Sequence, residues 1–349
     1  MPINANRPTI AHENAILLKS SDNAYFNDSN SGQNINFIPY LQDLNFGFST
    51  ETEDIFSVGD TYYSNQISNK EPKVDLKIDV IENFGNLFSG FFGVNNVRQN
   101  IDQDCNFYFV LGKNKMFSTF TDSDEFIGFG NCFLEKFSLT QEAAGLLSSS
   151  YSYSCSNIIA EVGVQEGQYL KIQNPAIDLT GSQVQDLSSY FLNIQDYVDA
   201  EQGLESGMIL GRDSSLEVSG YKNPDVLLLD LNVIQNFSLD LNFQRKNIYS
   251  IGKKYPVVKK AIYPSEGSLS ISSLPSNISG GNSNKTLKDF LDLNDIYDIK
   301  INLPNKRNDN FNFLISGARI SSLRDSMSIS KNLSSDISFD FDVYNFIKI

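Results

Sequence analysis

The stretches YLQDLNFGFSTETEDIFSVGD (Tyr40–Asp60) and VIQNFSLDLNFQRKNIYSIGK (Val233–Lys253) decide how the chain is read, because one lies over the other without a gap. Their common offset is 193 positions, the distance from Asp54 to Asn247. Each leads into the same turn: DIFSVGDTYY (Asp54–Tyr63) and NIYSIGKKYP (Asn247–Pro256) both run polar, Ile, aromatic, Ser, aliphatic, Gly. Gln42 falls on Gln235, Asp43 on Asn236, Leu44 on Phe237, Phe46 on Leu239 and Phe48 on Leu241. Apolar residues therefore recur at every second position in both copies, the mark of a half-buried antiparallel strand.

The same offset carries on to KVDLKIDV, whose Val74, Leu76 and Ile78 meet Gly267, Leu269 and Ile271 of GSLSISSL. Further on, NFYFVL (Asn106–Leu111) corresponds to DIKINL (Asp298–Leu303). FSLTQEAAGLLSSSYSYS (Phe137–Ser154) corresponds to MSISKNLSSDISFDFD (Met327–Asp342). In that last pair Tyr151 and Tyr153 are set on Ile337 and Phe339. Phe137 and Leu139 are set on Met327 and Ile329, which requires a short insertion near Glu142–Gly145. A repeat of such long period means two related domains rather than a solenoid.

The expected organisation is a polar tail (1–30), a first β domain (31–157), a connector (158–224) and a second β domain (225–349). In the connector, SQVQDLSSYFLNIQDYVDAEQG (Ser182–Gly203) spaces Val184, Leu187, Phe191, Ile194 and Val198 by threes and fours, which predicts an amphipathic helix. TLKDFLDLN (Thr286–Asn294) predicts a second, short helix capped by Thr286, while its counterpart NFGNLFSGFFGVNN is interrupted by glycines. The fold class expected is mainly β with minor helix: two tandem small β-sandwiches or barrels, each with a short packed helix.

Bulk composition agrees. The 349 residues have room for two domains, and 40% hydrophobic content with 26 Phe and 16 Tyr supports a sizeable core. A net charge of −15 argues against a protein that grips nucleic acid, since phosphate binding needs clustered Lys and Arg. Cys105, Cys132 and Cys155 form no CxxC pair and lie in strand-like runs, so buried free thiols are expected. The N-terminal stretch has no basic start followed by an apolar block, and no apolar run approaches the ~18 residues of a membrane span.

Chemistry-bearing motifs are scarce. The one histidine, His12, lies in a polar segment without a nucleophile elbow around it. FTDSDEF (Phe120–Phe126) lacks the Gly and the final Glu of a calcium loop, and LDLNDIYD (Leu291–Asp298) reads as solvated carboxylates. SGGNSN and SGFFG lack the GK[ST] of a phosphate loop. No enzyme activity, cofactor or metal is expected.

The repeat instead carries a contrast of charge. The first hairpin bears Glu51, Glu53, Asp54 and Asp60, whereas the matched region of the second bears Arg245, Lys246, Lys253, Lys254, Lys259 and Lys260. Two readings remain open: drift on solvated loops, or complementary patches that join one copy to the next in a head-to-tail, self-propagating contact.

With these residues in view, the chain resembles the tail tube proteins of long-tailed bacteriophages, and also the type VI secretion tube fold. The resemblance rests on VIQNFSLDLNFQRKNIYSIGKKYPVVKKAIYPSEGSLSISS as strand, long hairpin and strand, and on the Ser-rich closing runs GARISSLRDSMSISKNLSSDISFDFD and FLEKFSLTQEAAGLLSSSYSYS. It covers Phe37–Ser156 and Asp225–Tyr344, and it departs from many tube subunits in being doubled. It implies a virion structural protein of the tail, assembled in the host cytoplasm. Two folds per chain imply trimeric, pseudo-hexameric rings stacked through the hairpins. Implied partners are further copies of the chain, terminator and baseplate proteins, and sheath or tape measure proteins. Viral DNA would pass through without specific binding, past Asp75, Lys77 and Asp79 on the lumen side. A terminator, distal tail or baseplate hub protein of the same fold, or a β-sandwich adhesin, are the alternatives.

Overall fold

The structure is a computed structural model that describes residues 15–20, 35–38, 40–49, 52–55, 65–68, 73–82, 104–111, 125–162, 164–166, 169–173, 189–193, 209–221, 227–230, 234–249, 251, 256, 258–273, 295–304, 311–328 and 331–348. The first half contributes β1 (Ala15–Ser20), β2 (Ile35–Ile38), β3 (Leu41–Ser49), β4 (Thr52–Ile55), β5 (Asn65–Ser68), β6 (Lys73–Ile81), β7 (Cys105–Leu111), β8 (Glu125–Glu142), β9 (Ser148–Cys155) and β10 (Asn157–Val162). A small sheet of β11 (Val164–Glu166), β12 (Tyr169–Gln173) and β13 (Ser189–Asn193) follows. The second half contributes β14 (Ser215–Gly220), β15 (Leu227–Asp230), β16 (Ile234–Asn242), β17 (Arg245–Ile248), β18 (Val258–Ala261), β19 (Glu266–Ser273), β20 (Tyr297–Leu303), β21 (Phe311–Ser328), β22 (Lys331–Asp342) and β23 (Phe346–Lys348).

Strand pairing follows one pattern twice. In the first half β3 pairs β6, β6 pairs β9, β9 pairs β8, and β8 continues into β7, β1 and β2, with β10 also on β8. In the second half β16 pairs β19, β19 pairs β22, β22 pairs β21, and β21 continues into β20, β14 and β15, with β23 also on β21. The hairpins β4–β5 and β17–β18 each stand apart. The two sets are joined by β8 and β16, so the result is one 16-stranded antiparallel sheet and not two separated sandwiches. Ala15–Ser20, expected in a polar tail, is a strand between β2 and β7. Ile158–Val162 and Ser215–Gly220, expected in the connector, pair with β8 and β20.

Irregularities recur as well as pairings. Bulges interrupt the ladders between Leu41 and Asp43 and between Ile234 and Asn236, at positions matched by the 193 offset. They also fall between Cys105 and Phe107, matched by Tyr297 and Ile299, and between Leu134 and Lys136, matched by Ile320 and Ser322. The long strands β8 and β21 each contain one positive-φ residue, Asn131 (49°) and Gly317 (74°). Each is held the same way: the Asn131 amide donates to Oδ1 of Asn106 at 3.0 Å, and the Gly317 amide to Oδ1 of Asp298 at 3.1 Å. Left-handed backbone suits Gly and is tolerated by Asn, which is why these two types alternate there.

The register corrects one expected match. Phe137 opposes Tyr151, and Leu323 opposes Ile337, so Phe137 corresponds to Leu323 and Leu139 to Asp325, not to Met327 and Ile329. No insertion near Glu142–Gly145 is needed. A slip of four residues keeps every side chain on its own face, so alternation alone could not expose the error.

Among the described residues there is no α-helix; the helical turns are the 3-10 segments Gly211–Asp213 and Val343–Asn345. Within the expected connector helix, Ser189–Asn193 is β13, paired with β12. Its Tyr-Phe-Leu run fits a paired strand better than the spacing of threes and fours suggested. Thr286–Asn294 lies outside the described residues, as does the glycine-rich counterpart.

The core is one contiguous buried cluster through both halves, from Val74, Leu76 and Ile78 to Leu269, Ile271 and Phe339. Rings pack edge-on within it, Phe107 with Tyr153 at 4.8 Å and Tyr297 with Phe339 at 5.8 Å. Each buried Leu- or Phe-sized side chain contributes about 1.5–3 kcal/mol. Cys132 and Cys155 are joined as a disulfide, against the expectation of free thiols; Cys105 remains a buried thiol and donates to the Cys132 carbonyl.

Candidate functional site: the polar face of the sheet

Strict alternation gives this sheet a face of its own. On β6, Val74, Leu76, Ile78 and Val80 are buried, which turns Asp75, Lys77 and Asp79 to the opposite side. Asp79 aligns with Asp43 on β3 and Ser150 on β9; Ser150 aligns with Ser138 on β8, and Ser138 with Asp240 on β16. The row continues through Ser268 on β19 and Asp340 on β22 to Arg319 on β21. The next row reads Ser148, Thr140, Ser238, Ser270, Ser338 and Ser322. One side of the ordered run β3, β6, β9, β8, β16, β19, β22, β21 is thus a continuous wall of hydroxyls and carboxylates.

Three lysines on this wall sit beside carboxylates. Lys77 Nζ is 2.9 Å from Asp79, Lys73 Nζ 3.2 Å from Asp75, and Lys136 Nζ 3.3 Å from Asp240. Arg324 and Arg319 are register partners of Asp336 and Asp340. The exposed lysine pairs are worth little in stability, but each removes a cation that could hold a phosphate. Asp240 also accepts from Ser138, so two side chains of β8 are tied to β16 where the halves meet. That tie was not visible in the sequence, because its partners are far apart in the chain and each lies in an ordinary alternating run.

The hairpins are less uniform than their charges suggested. On β17–β18, Lys246 and Lys260 are exposed and directly opposed, a like-charge cross-strand pair that is unfavourable in isolation. Arg245 and Lys259 turn inward instead. The Arg245 guanidinium lies 5.1 Å and the Lys259 ammonium 5.8 Å from the Phe133 ring centroid, and Arg245 donates to the carbonyls of Leu134 and Lys259. Lys259 is 5% exposed. Both therefore bind the second hairpin to β8 rather than present charge outward. Glu53 and Asp54 lie on β4, while Glu51, Asp60, Lys253 and Lys254 fall outside the described residues.

Other sites from the sequence resolve into structure. Asp295 is buried and accepts from the Ile296 amide, and Asp298 holds Gly317, so the Leu291–Asp298 carboxylates described are not merely solvated. His12, Asp122 and Asp124 lie outside the described residues, and no cluster of three or more metal-ligating side chains occurs among the described ones. No described helix is long and apolar enough to cross a membrane.

A group that sequence reasoning missed is Glu82, buried just past β6. It accepts from the Ser149 hydroxyl and, at 2.6 Å, from the Tyr151 hydroxyl. Burial raises its pKa above the ordinary 4.5, while the two hydrogen bonds pull the other way. Burial and then the Glu82 charge push the Tyr151 phenol well up. Two donors fixed on one buried carboxylate act as a structural anchor. No protein-family model matches the sequence, and neither does any curated protein.

Proposed function

We propose that the chain is a tail tube subunit of a long-tailed bacteriophage: two tandem tube-type domains per chain, three chains per pseudo-hexameric ring, and rings stacked into a hollow conduit for DNA. The observation that carries this reading is the hydroxyl- and carboxylate-lined face that runs without interruption over strands of both halves. Duplex DNA carries one charge per ~1.7 Å of axis, so a wall of hydroxyls and carboxylates whose lysines are already beside carboxylates offers it little release of counterions and lets it slide. Asp75, Lys77 and Asp79 then line the lumen, and the buried face packs toward the outer strands. The repeated connectivity, bulges and positive-φ residues support the tandem duplication, and the long hairpins supply the contacts between rings. In this reading the ring-stacking cations among the described residues are Lys246 and Lys260, since Arg245 and Lys259 are engaged with Phe133. The reading assigns no catalysis.

Negative-stain images of the purified protein test it: hollow cylinders with a bore wide enough for duplex DNA are expected. Rings that never lengthen would move the assignment to a hub or terminator, and solid or irregular particles would overturn the conduit. Lys246→Glu together with Lys260→Glu is expected to leave rings but prevent their stacking; normal cylinders from that variant would remove the electrostatic role.

A further inference from the structure

We infer that β3 of one chain adds, antiparallel, to the outer edge of Arg319–Ser328 on β21 of a second copy, closing chains head to tail. The template lies within the molecule. β16, the counterpart of β3, has both edges paired, with β19 on one side and β8 on the other. β3 pairs only β6, and the β21 segment corresponding to Lys136–Glu142 pairs only β22, among the described residues. The chain therefore carries one made junction and the two halves of an unmade one.

Side chains repeat the argument. Leu239 and Leu241 on β16 are 0% exposed, while Phe46 and Phe48 in their places on β3 are 46% and 58% exposed. β3 has no Pro or Lys to protect its edge, so it is a template waiting for a strand. Transferring the β8·β16 register sets Phe48 opposite Leu323, as Leu241 opposes Phe137, and Ser49 opposite Ser322, as Asn242 opposes Lys136.

Charge gives the partner's identity. Within the chain, the basic hairpin β17–β18 rests on a β8 stretch carrying two acids and one base, Glu135, Glu142 and Lys136. Between chains, the acidic residues of the first hairpin (Glu51, Glu53 and Asp54) follow β3 directly, and the β21 stretch carries two bases and one acid, Arg319, Arg324 and Asp325. Sign is exchanged on both sides of the second junction, so each hairpin suits its own strand and repels the other. The contrast between the two hairpins thus reflects which neighbour each meets. A heterologous contact of this kind generates rings or helices, not closed dimers.

This inference rests on the proposed ring assembly for its biological setting, but its test is separate. Ser49→Cys and Ser322→Cys are made as single variants and as a double variant, with Cys105 as the buried internal control. Under mild oxidation, mixing the two single variants is expected to give a covalent dimer, neither alone should dimerise, and the double variant should give closed oligomers on a non-reducing gel. A Ser49–Ser49 type homodimer, or a chain that stays monomeric across concentration, overturns the inference. Phe48→Lys, folded by circular dichroism, is expected to abolish cross-linking; undiminished cross-linking by it also overturns the inference. Cross-linked oligomers without a hollow bore would keep this interface and reject the conduit. Hollow cylinders without the cross-link would do the reverse.

Discussion

β16 and β3 are the same strand in two situations. They share a nine-residue length, a bulge at the matched position and a buried neighbour on one side. They differ in sequence, with Phe46 and Phe48 in the places of Leu239 and Leu241, and in that β16 has β8 against its second edge. Under that neighbour the apolar residues of β16 vanish from solvent, and without it those of β3 remain half exposed. Burial here is a property of the neighbour and not of the strand. Two substitutions at one repeat position should therefore have different consequences. Leu241→Ala is expected to cost about 2–5 kcal/mol in denaturant unfolding of dilute protein, from lost transfer energy and the cavity left behind. Phe48→Ala is expected to stay within about 0.5 kcal/mol under the same conditions, as surface changes usually do. Equal losses would break the comparison and mean that β3 is already covered.

A second pair shows the halves trading volume across a ladder. Val74 opposes Cys155 in the first half, and Gly267 opposes Phe341 in the second. A Cβ on Gly267 would come within 2.4 Å of the Phe341 ring, so the ring occupies the space that Val74 fills in the other half. Gly267→Val is expected to cost about 1–3 kcal/mol through overpacking. In a Phe341→Ala background, which frees the space that the ring fills, the cost of Gly267→Val should shrink, with a coupling of about 0.5–3 kcal/mol in the double-mutant cycle. Additive losses would show that the ring does not hold that space.

The positive-φ pair sharpens the same point at smaller scale. Gly317→Ala is expected to cost about 1 kcal/mol, because its backbone conformation disfavours a side chain. Asn131→Gly should be close to neutral, the gain in backbone ease offset by loss of the Asn131 side chain's 2.8 Å hydrogen bond to Asp104. Thermal unfolding of both variants checks the difference.

The parts of this architecture carried by local pattern were legible in the sequence. The period of two placed Val74, Leu76 and Ile78 on one face and Asp75, Lys77 and Asp79 on the other. The constant offset from Leu41 to Ile81 anticipated matched strands, and the matched bulges came to light only in the ladders. What failed was of two kinds. The Phe137–Met327 match failed because a slip of four leaves an alternating strand unchanged face by face. The helix expected over Ser182–Gly203 failed at Ser189–Asn193 because its apolar residues satisfy both periods, and pairing with β12 decides between them. The tie of Arg245 and Lys259 to Phe133 had no local signal, since it depends on where β16 docks. Nor could sequence separate inward lysines from outward ones on the same hairpin.

Glu82 marks where the halves part company. In the second half its offset partner is Pro275, and the place of Tyr151 is taken by Ile337, so the buried acid and its phenol donor belong to the first half alone. Because burial raises the pKa of Glu82, the native state holds more protons than the unfolded chain between pH 4.5 and the raised value. Stability from this group is fully present below 4.5 and is lost as pH rises through that window. Glu82→Gln keeps an oxygen for the Ser149 and Tyr151 hydroxyls while removing the titration, so the slope of unfolding free energy against pH should flatten over that range. Hydrogen exchange should place the effect at the β6 and β9 amides and leave β19 and β22 unchanged. An identical slope in the variant would mean that Glu82 titrates normally, and that the carboxylate is better solvated than its 3% exposure implies.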